Sequence, residues 1–559
     1  MRKKYFLPLL FILCSCGTNT STTNHNNSLS SNISTSTSSS TSMDKESTSS
    51  NSSSTIVEKH KTILNKDLEC VLNEDKTGFI IYKYKKYDSY IRIPDTFSGL
   101  FSHVDSNKNV EVYSGDKKYA EDVITLPIVG IMDYAFKSSG GVKEICFNDQ
   151  CLDFSFEAFN GCTTIINYIV SDNHPLYKSI DGVLYSKDGK NLFLFPTGRK
   201  DTYSVEEGTV SILNKAFKTS NIASVILPES LTVIEEEAFY SAKKLKSINI
   251  PSKVKTIEKD VFNTCSELRT VEFSEGLESI GYYSFWRCEK LINFTLPSTL
   301  RTIGESAFEG IGCVSSGIKN LVLNEGLESI GDFAFAYNEY IETIEFPSTL
   351  KTIGKYAFMQ NYAVKELNLV EGIEELQEGA FFYNTNLTKV NIPSTLKTIG
   401  FNCFATSETN SLCEGIEEFV VSNESEYFKN VNGIVYTKDS KELVIAPMAH
   451  KFENGIYNIP EGVEIINDHA FYNCKNLVNI SLPSTLKEIG KAPFYLTRLA
   501  YISYASTMED FNKVSKEVEI FTSDTSTDVL KVYWYQTSDY SGVTNLTCSD
   551  GVLNLVENQ

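Results

Sequence analysis

Residues 285–308 read FWRCEKLINFTLPSTLRTIGESAF, and their spacing decides the fold. Apolar residues fall at Leu291, Phe294 and Leu296-Pro297, then at Leu300, Ile303-Gly304 and Ala307-Phe308. The pattern returns as Ile341, Ile344, Phe346-Pro347, Leu350, Ile353-Gly354 and Ala357-Phe358, and again as Leu387, Val390, Ile392-Pro393, Leu396, Ile399-Gly400 and Phe404. The anchoring phenylalanine recurs at Phe136, Phe159, Phe217, Phe239, Phe262, Phe285, Phe308, Phe335, Phe358, Phe381, Phe404, Phe471 and Phe494, and most neighbours are 23 residues apart. A fixed period of this length is the mark of a repeat architecture.

Within one unit, Leu-x-x-Ile-x-Leu-Pro ends in a period-two alternation, as in a short strand, and proline closes it without needing an amide donor. Leu-x-x-Ile-Gly-x-x-Ala-Phe predicts a turn at glycine and one short helical or 3₁₀ turn at Ala-Phe. A single unit cannot bury its apolar side, so units must stack, with parallel strands about 4.7–4.9 Å apart. Thirteen coils predict one sheet on the order of 60–70 Å long.

The repeat pattern Leu-Pro-x-x-Leu-x-x-Ile-Gly-x-x-Ala-Phe resembles the BspA-like, or treponemal-type, leucine-rich repeats, over residues 66–559. The resemblance implies a β-rich leucine-rich-repeat solenoid. It also implies a bacterial surface or secreted protein, since several members are implicated in adhesion to host matrix or to other bacteria. On this reading the solenoid occupies 123–497, between an N-terminal cap region at 56–122 and a C-terminal cap at 498–559. Residues 101–122 fit neither repeat nor cap and read as a polar insertion.

Two hairpins interrupt the repeat, near 171–205 and 422–460. The first runs from Asp181 to Pro196 around Asp188-Gly189, a strong hairpin-turn signal; the second runs from Asn432 to Pro447 around Asp439-Ser440. They either project as contact surface or pad the solenoid.

The first residues read as a targeting signal. Arg2-Lys3-Lys4 precede a short apolar run, Tyr5 to Leu13, too short for a lasting membrane span. Leu13-Cys14-Ser15-Cys16 resembles a lipobox, which implies cleavage after residue 15, lipidation of Cys16 and a place on the extracellular face of a bacterial membrane. Residues 16–55 then form the anchor and a tether; from Gly17 onward the stretch is nearly all Ser, Thr and Asn and cannot offset the entropy of ordering.

A formal charge of −20 disfavours nucleic acid and anionic bilayers, so membrane attachment is expected through the lipid alone. The six histidines are scattered singly, with no His-Glu-x-x-His or Gly-x-Ser-x-Gly motif. Acids such as Glu235-Glu236-Glu237 occupy variable repeat positions and read as a solvated face. No catalytic residue, metal or cofactor is expected. Of thirteen cysteines, Cys162, Cys265, Cys288 and Cys474 each follow an anchoring phenylalanine by three, as small buried hydrophobes would. Cys146/Cys151 and Cys403/Cys413 could pair locally, but spacing does not require it.

The expected partner is a protein, either host matrix or another bacterial surface protein; an envelope scaffold and a glycan-capturing accessory protein are the alternatives. The candidate contact residues are the aromatics beside the anchoring phenylalanine: Tyr240, Trp286, Tyr337, Phe382, Tyr383 and Tyr472. Aromatic enrichment marks protein contact surfaces, although the same rings could simply pack coil on coil.

Overall fold

The structure, a computed structural model, describes residues 59–104, 111–116, 123–137, 139–313, 317–406, 415–516, 530–536, 539–549 and 552–556. The signal, Cys16 and the tether lie outside the described residues, as does Cys413. Residues 56–559 form one compact unit, a β-solenoid of about 16 turns with about 23 residues per turn and little helix.

Each coil contributes two strands, where the sequence pattern predicts one. The longer strand, such as Thr270–Phe273, pairs in parallel with its neighbours. A second, two-residue strand at Thr-Ile, such as Thr302–Ile303, builds its own parallel ladder of seven strands, from Thr256–Ile257 to Thr398–Ile399. The single long sheet expected from the repeat is therefore replaced by two ladders. The first-strand ladder is also segmented, with five strands from Thr202–Ser204 to Asn293–Thr295, then two, then three. The first break coincides with the one 27-residue interval, between Phe308 and Phe335.

All thirteen anchoring phenylalanines are buried. From Phe217 to Phe404 their rings stack coil upon coil, with centroids 4.7–5.9 Å apart and planes within 18° of parallel. That spacing matches the rise between parallel strands, so one ring fills one coil. Phe195 of the first hairpin extends the stack onto Phe217 at 4.6 Å. The glycine after isoleucine serves close approach between coils: a Cβ on Gly354 would lie 2.6 Å from the Gly331 carbonyl carbon.

From residue 275 to residue 395 the coils alternate between two kinds, and the structural repeat there is a pair. Coils carrying Glu-Gly hand hydrogen bonds to the next coil, which carries Ser-Thr. Glu275 accepts from the Ser298 amide and hydroxyl at 3.1 and 2.9 Å, while the Gly276 amide donates to Thr299 Oγ1 at 2.9 Å. The same contacts recur for Glu325-Gly326 with Ser348-Thr349, Glu371-Gly372 with Ser394-Thr395, and Glu461-Gly462 with Ser484-Thr485. Two residues on, charge alternates along the stack: Lys255, Glu278, Arg301, Glu328, Lys351, Glu374, Lys397. Lys255–Glu278 (3.2 Å) and Lys397–Glu374 (2.6 Å) are ion pairs of this column.

The hairpins pad the interior and do not project. In the first, Val183, Tyr185 and Leu192 belong to the central core, and Leu184 and Leu194 to the N-terminal core. In the second, Val435 and Val444 face the central core, and Ile434, Tyr436 and Leu443 the C-terminal one. Each hairpin is thus a wall, apolar on both sides, that divides one stack from the next. The described residues of 101–122, namely 101–104 and 111–116, also differ from the expected polar insertion. Thr96–Val104 and Glu111–Ser114 are antiparallel strands within the N-terminal six-stranded sheet, and Val112 and Tyr113 are buried. At the other end, Leu530–Gln536 continues the first-strand ladder in parallel with Tyr501–Tyr504, and Asp539–Ser549 and Val552–Val556 extend it as antiparallel strands.

Because each ring supports the ring on either side, truncation in mid-stack should cost more than one side chain's burial. Phe308→Ala is expected to lower unfolding stability by about 3–5 kcal/mol, and Phe308→Leu by clearly less. Urea unfolding followed by circular dichroism checks both.

Candidate functional site

The turn that carries the anchoring phenylalanine fixes where the candidate aromatics stand. Residues two before and two after the phenylalanine take left-handed angles: Tyr283 (φ 54°) and Arg287 (φ 53°), Phe333 (55°) and Tyr337 (61°), Tyr356 (54°) and Gln360 (58°). For non-glycine residues this geometry costs about 1–2 kcal/mol each. It is offset by amides that alternate between the two directions. The amides of Tyr283, Phe285 and Arg287 donate to the next coil's Glu305, Ala307 and Glu309 carbonyls, while Trp286 and Cys288 close bonds within their own turn.

Trp286, Tyr337, Phe382 and Tyr383 come from coils of the Glu-Gly kind, and Tyr240 from the coil two before that of Trp286, so successive rings stand roughly 10 Å apart at two strand spacings. The structure does not gather them into an unbroken stripe. Phe382 and Tyr383 touch each other (6.2 Å between centroids) and pack on Tyr356 and Tyr362. Trp286 packs edge-on to Tyr283 with the Arg287 guanidinium over it, and Lys218 lies over the Tyr240 ring. Tyr337 is 38% exposed; Tyr240, Trp286, Phe382, Tyr383 and Tyr472 are half-buried. Tyr472 sits apart, at the second hairpin.

There the structure opens a cavity of about 300 Å³ at the second wall, lined from both sides of it: Ile416, Phe419 and Val444 belong to the central core, Ala446 and Ile466 to the C-terminal one. The two hairpins are copies of one module. Phe195 and Ala446 hold the same position, since each donates its amide to the alanine preceding the next anchoring phenylalanine, Ala216 and Ala470. A tyrosine pair closes both modules, Tyr185–Tyr203 at 2.7 Å and Tyr436–Tyr457 at 2.5 Å.

At the first wall, the seam with the preceding coils is filled. Phe193 stacks on Phe156 at 4.7 Å and meets Phe154 at 5.2 Å. Glu157 bridges to Lys215 (3.2 Å) and Lys218 (2.7 Å), and these partners outweigh burial to hold its carboxyl below the usual range. At the second wall the corresponding residues are Val444 for Phe193, Ile399 for Phe154, Asn402 for Glu157, His469 for Lys215 and Tyr472 for Lys218. Two rings and an ion-pair cluster are lost. Phe401, the counterpart of Phe156, lines the cavity.

The polar groups of this cavity form a neutral set. His469 Nδ1 is hydrogen-bonded to Asn402 Oδ1, and its ring lies 4.5 Å from that of Phe401. Burial pulls the His469 imidazole down to about 4, against the pull of Asp468, so it is uncharged at neutral pH. Tyr472 donates its hydroxyl to the Thr406 carbonyl at 2.5 Å. The carboxylates of Asp468 and Glu488 stand at the rim, and no lysine or arginine lines the cavity.

The BspA-type leucine-rich repeat region matches in six copies over residues 116–185, 210–316, 312–433 and 451–528, well over half of the chain. The chain belongs to the BspA-type leucine-rich-repeat family. Among solved structures, this BspA-type chain is similar to a leucine-rich repeat protein from Bacteroides ovatus, with 18% identity, TM-score 0.44, and 84% of this chain and 98% of that one covered. It is also similar to a leucine rich cell surface protein from Faecalibacterium prausnitzii, with 18% identity, TM-score 0.35, and coverages of 80% and 96%. No curated protein matches it by sequence.

The cysteines of this BspA-type chain do more than fill space. The thiols of Cys162, Cys265 and Cys288 donate to the carbonyl of the preceding anchoring phenylalanine at 3.0–3.2 Å, and Cys474 to the Pro447 carbonyl at 3.4 Å. Asn338, Asn361 and Asn384 fill the same position in other coils and donate to Phe308, Phe335 and Phe358. Cys146, Cys151 and Cys403 are free thiols. Among the described residues no group of three or more His, Cys, Asp or Glu could hold a metal ion, and no helix is long and apolar enough to cross a membrane.

The cavity escaped the sequence reading because each of its residues is ordinary alone. Aligning the two hairpins against each other is the signal that finds it. Burial pushes the Cys265 thiol up to about 12, and those of Cys288 and Cys474 upward as well. Peptide mass mapping after iodoacetamide at pH 8 is therefore expected to leave Cys162, Cys265, Cys288 and Cys474 unmodified in the native protein, to modify half-exposed Cys313, and to modify all five in guanidinium.

Proposed function

We propose that this chain is a bacterial cell-surface binding protein, anchored through a lipid on Cys16, that holds a protein ligand on the outward side of its first-strand ladder. The observation that carries the reading is the composition of the first-strand side, where neighbouring coils also pair in places, as Thr343 does with Asn320 at 2.8 Å and Lys389 with Glu366 at 3.8 Å. On the second-strand side, the side chains pair with one another through the alternating charges and contacts such as Thr302 Oγ1 to Ser279 Oγ at 2.9 Å. On the first-strand side, outward positions between 202 and 421 are mostly Ser, Thr and Asn, and the charges are Glu272, Glu345, Glu366, Lys389 and Glu418. Ile226 (56% exposed), Val322 (47%) and Val420 (38%) lie bare among them. Short amides and hydroxyls with exposed apolar groups make an adaptable contact surface, whereas a purely solubilising face would carry more lysine and glutamate.

The aromatic residues Tyr240, Trp286, Tyr337, Phe382 and Tyr383 extend the proposed surface at the phenylalanine turns. Family membership supports a surface location, because known members are mostly surface or secreted bacterial proteins.

The test is capture of host matrix proteins, whole bacteria, a glycan panel and the cell's own envelope by the full chain. Asn249→Arg/Thr295→Arg on the strand face is expected to reduce capture of foreign protein about tenfold or more, and Trp286→Ala/Tyr337→Ala severalfold. Retention by its own envelope alone, or selective glycan capture, would overturn the protein-ligand reading. The anchor is checked separately: a fatty-acid probe is expected to label the wild type in cells and not Cys16→Ala, and equal incorporation would refute lipidation.

A further inference from the structure

The cavity at the second wall lies in the interior, away from the surface assigned above to a protein ligand, and its composition differs from that of a packing flaw. We propose that it is a binding site for a small aromatic molecule, neutral or carrying an amine.

Three observations lead there. The first is shape. The first wall shows what the module looks like when the seam is filled by the protein: Phe193 lies stacked on Phe156 at 4.7 Å. In the second module Phe401 keeps the place of Phe156, but Val444 stops short of where the Phe193 ring would be, and the space is an open cavity. A planar ring entering from outside would lie against Phe401 as Phe193 lies against Phe156. Phe404, Ala446 and Met448 supply apolar wall beside it. At about 300 Å³ the space sits at the small end of ligand sites, which excludes bulky polymers.

The second is polarity. Glu157, Lys215 and Lys218 seal the first seam with full charges. Asn402, His469 and Tyr472 stand in their places, and all three are uncharged groups able to donate or accept. Losing only the rings would have left a dry void. Losing the charges as well gives a cavity lined by apolar side chains together with convergent uncharged polar groups, which a small molecule with a ring and a polar handle would match.

The third is the sign of the field. Asp468 and Glu488 stand at the rim with no lining cation, and the whole chain carries −20. An anionic ligand would meet repulsion; an ammonium group at the opening would meet two carboxylates.

Calorimetric titration of the full chain with tryptamine, indole and indole-3-acetate tests this. Tryptamine and indole are expected to bind with one site each, and indole-3-acetate about tenfold more weakly than tryptamine or worse. Val444→Phe, which restores the ring of the first module, is expected to abolish binding without lowering the melting temperature. Glu488→Gln, an exposed change at the rim, is expected to reduce the advantage of tryptamine over indole severalfold while indole binds as before. Absence of binding at millimolar ligand, binding unaffected by Val444→Phe in a folded variant, or equal affinity for all three probes would each overturn the proposal. These readouts do not depend on capture of any protein, so this site and the protein-binding face can fail independently.

Discussion

Everything in the solenoid depends on one dimensional match. A phenyl ring stacked on another needs about the same height as one parallel strand beside another, and each coil supplies one of each. The centroid spacing stays within 4.7–5.9 Å from Phe217 to Phe404, even across the 27-residue coil, where Phe308 and Phe335 still lie 5.3 Å apart. The ring stack and the Thr-Ile ladder thus persist where the first-strand ladder is interrupted. Phenylalanine at a fixed place is a stronger constraint here than coil length.

Stacking like on like creates a problem that the paired coils solve. A strictly repeated surface lysine or glutamate would put identical charges one strand spacing apart, which is destabilising. Alternating Glu-Gly with Ser-Thr coils places Lys255 against Glu278 and Lys397 against Glu374. The same alternation lets Glu275 close the amide and hydroxyl of Ser298, which an identical neighbour could not do. Each exposed pair is worth little, at most about 1 kcal/mol. Repeated along the stack, they set which kind of coil follows which.

The repeat was legible in the sequence because its signal is an apolar residue at a fixed interval, and burial follows directly from that. Less visible was anything carried by backbone geometry or by alternation. The Thr-Ile strand is two residues long, too short for a period to show. The left-handed angles at Tyr283 and Arg287 fall on residues that do not favour them, because hydrogen bonds between coils override local preference. Reading Cys288 as a small hydrophobe identified its burial but missed that it shares a task with Asn361, donation to the carbonyl of the phenylalanine one coil back. The strand pair at Thr96–Val104 and Glu111–Ser114 is hidden because its residues do not alternate: Val112, Tyr113 and Ser114 are all buried, so no period of two shows. As for the candidate aromatics, their place beside the phenylalanine was readable, but their separation by whole coils was not, since it follows the two-coil period.

The two hairpins show how the ring constraint can be released at one place without losing the fold. A wall with apolar residues on both sides separates two cores, so a change on one of its faces is not transmitted along the stack. Phe195 can become Ala446, and Phe193 can become Val444, while the tyrosine pair and the backbone bond to the next coil persist in both copies. Inside an unbroken stack the same loss would leave two rings without a neighbour. The second wall is therefore a position where this architecture can open an interior site at low cost, and its polar residues have changed together with its rings.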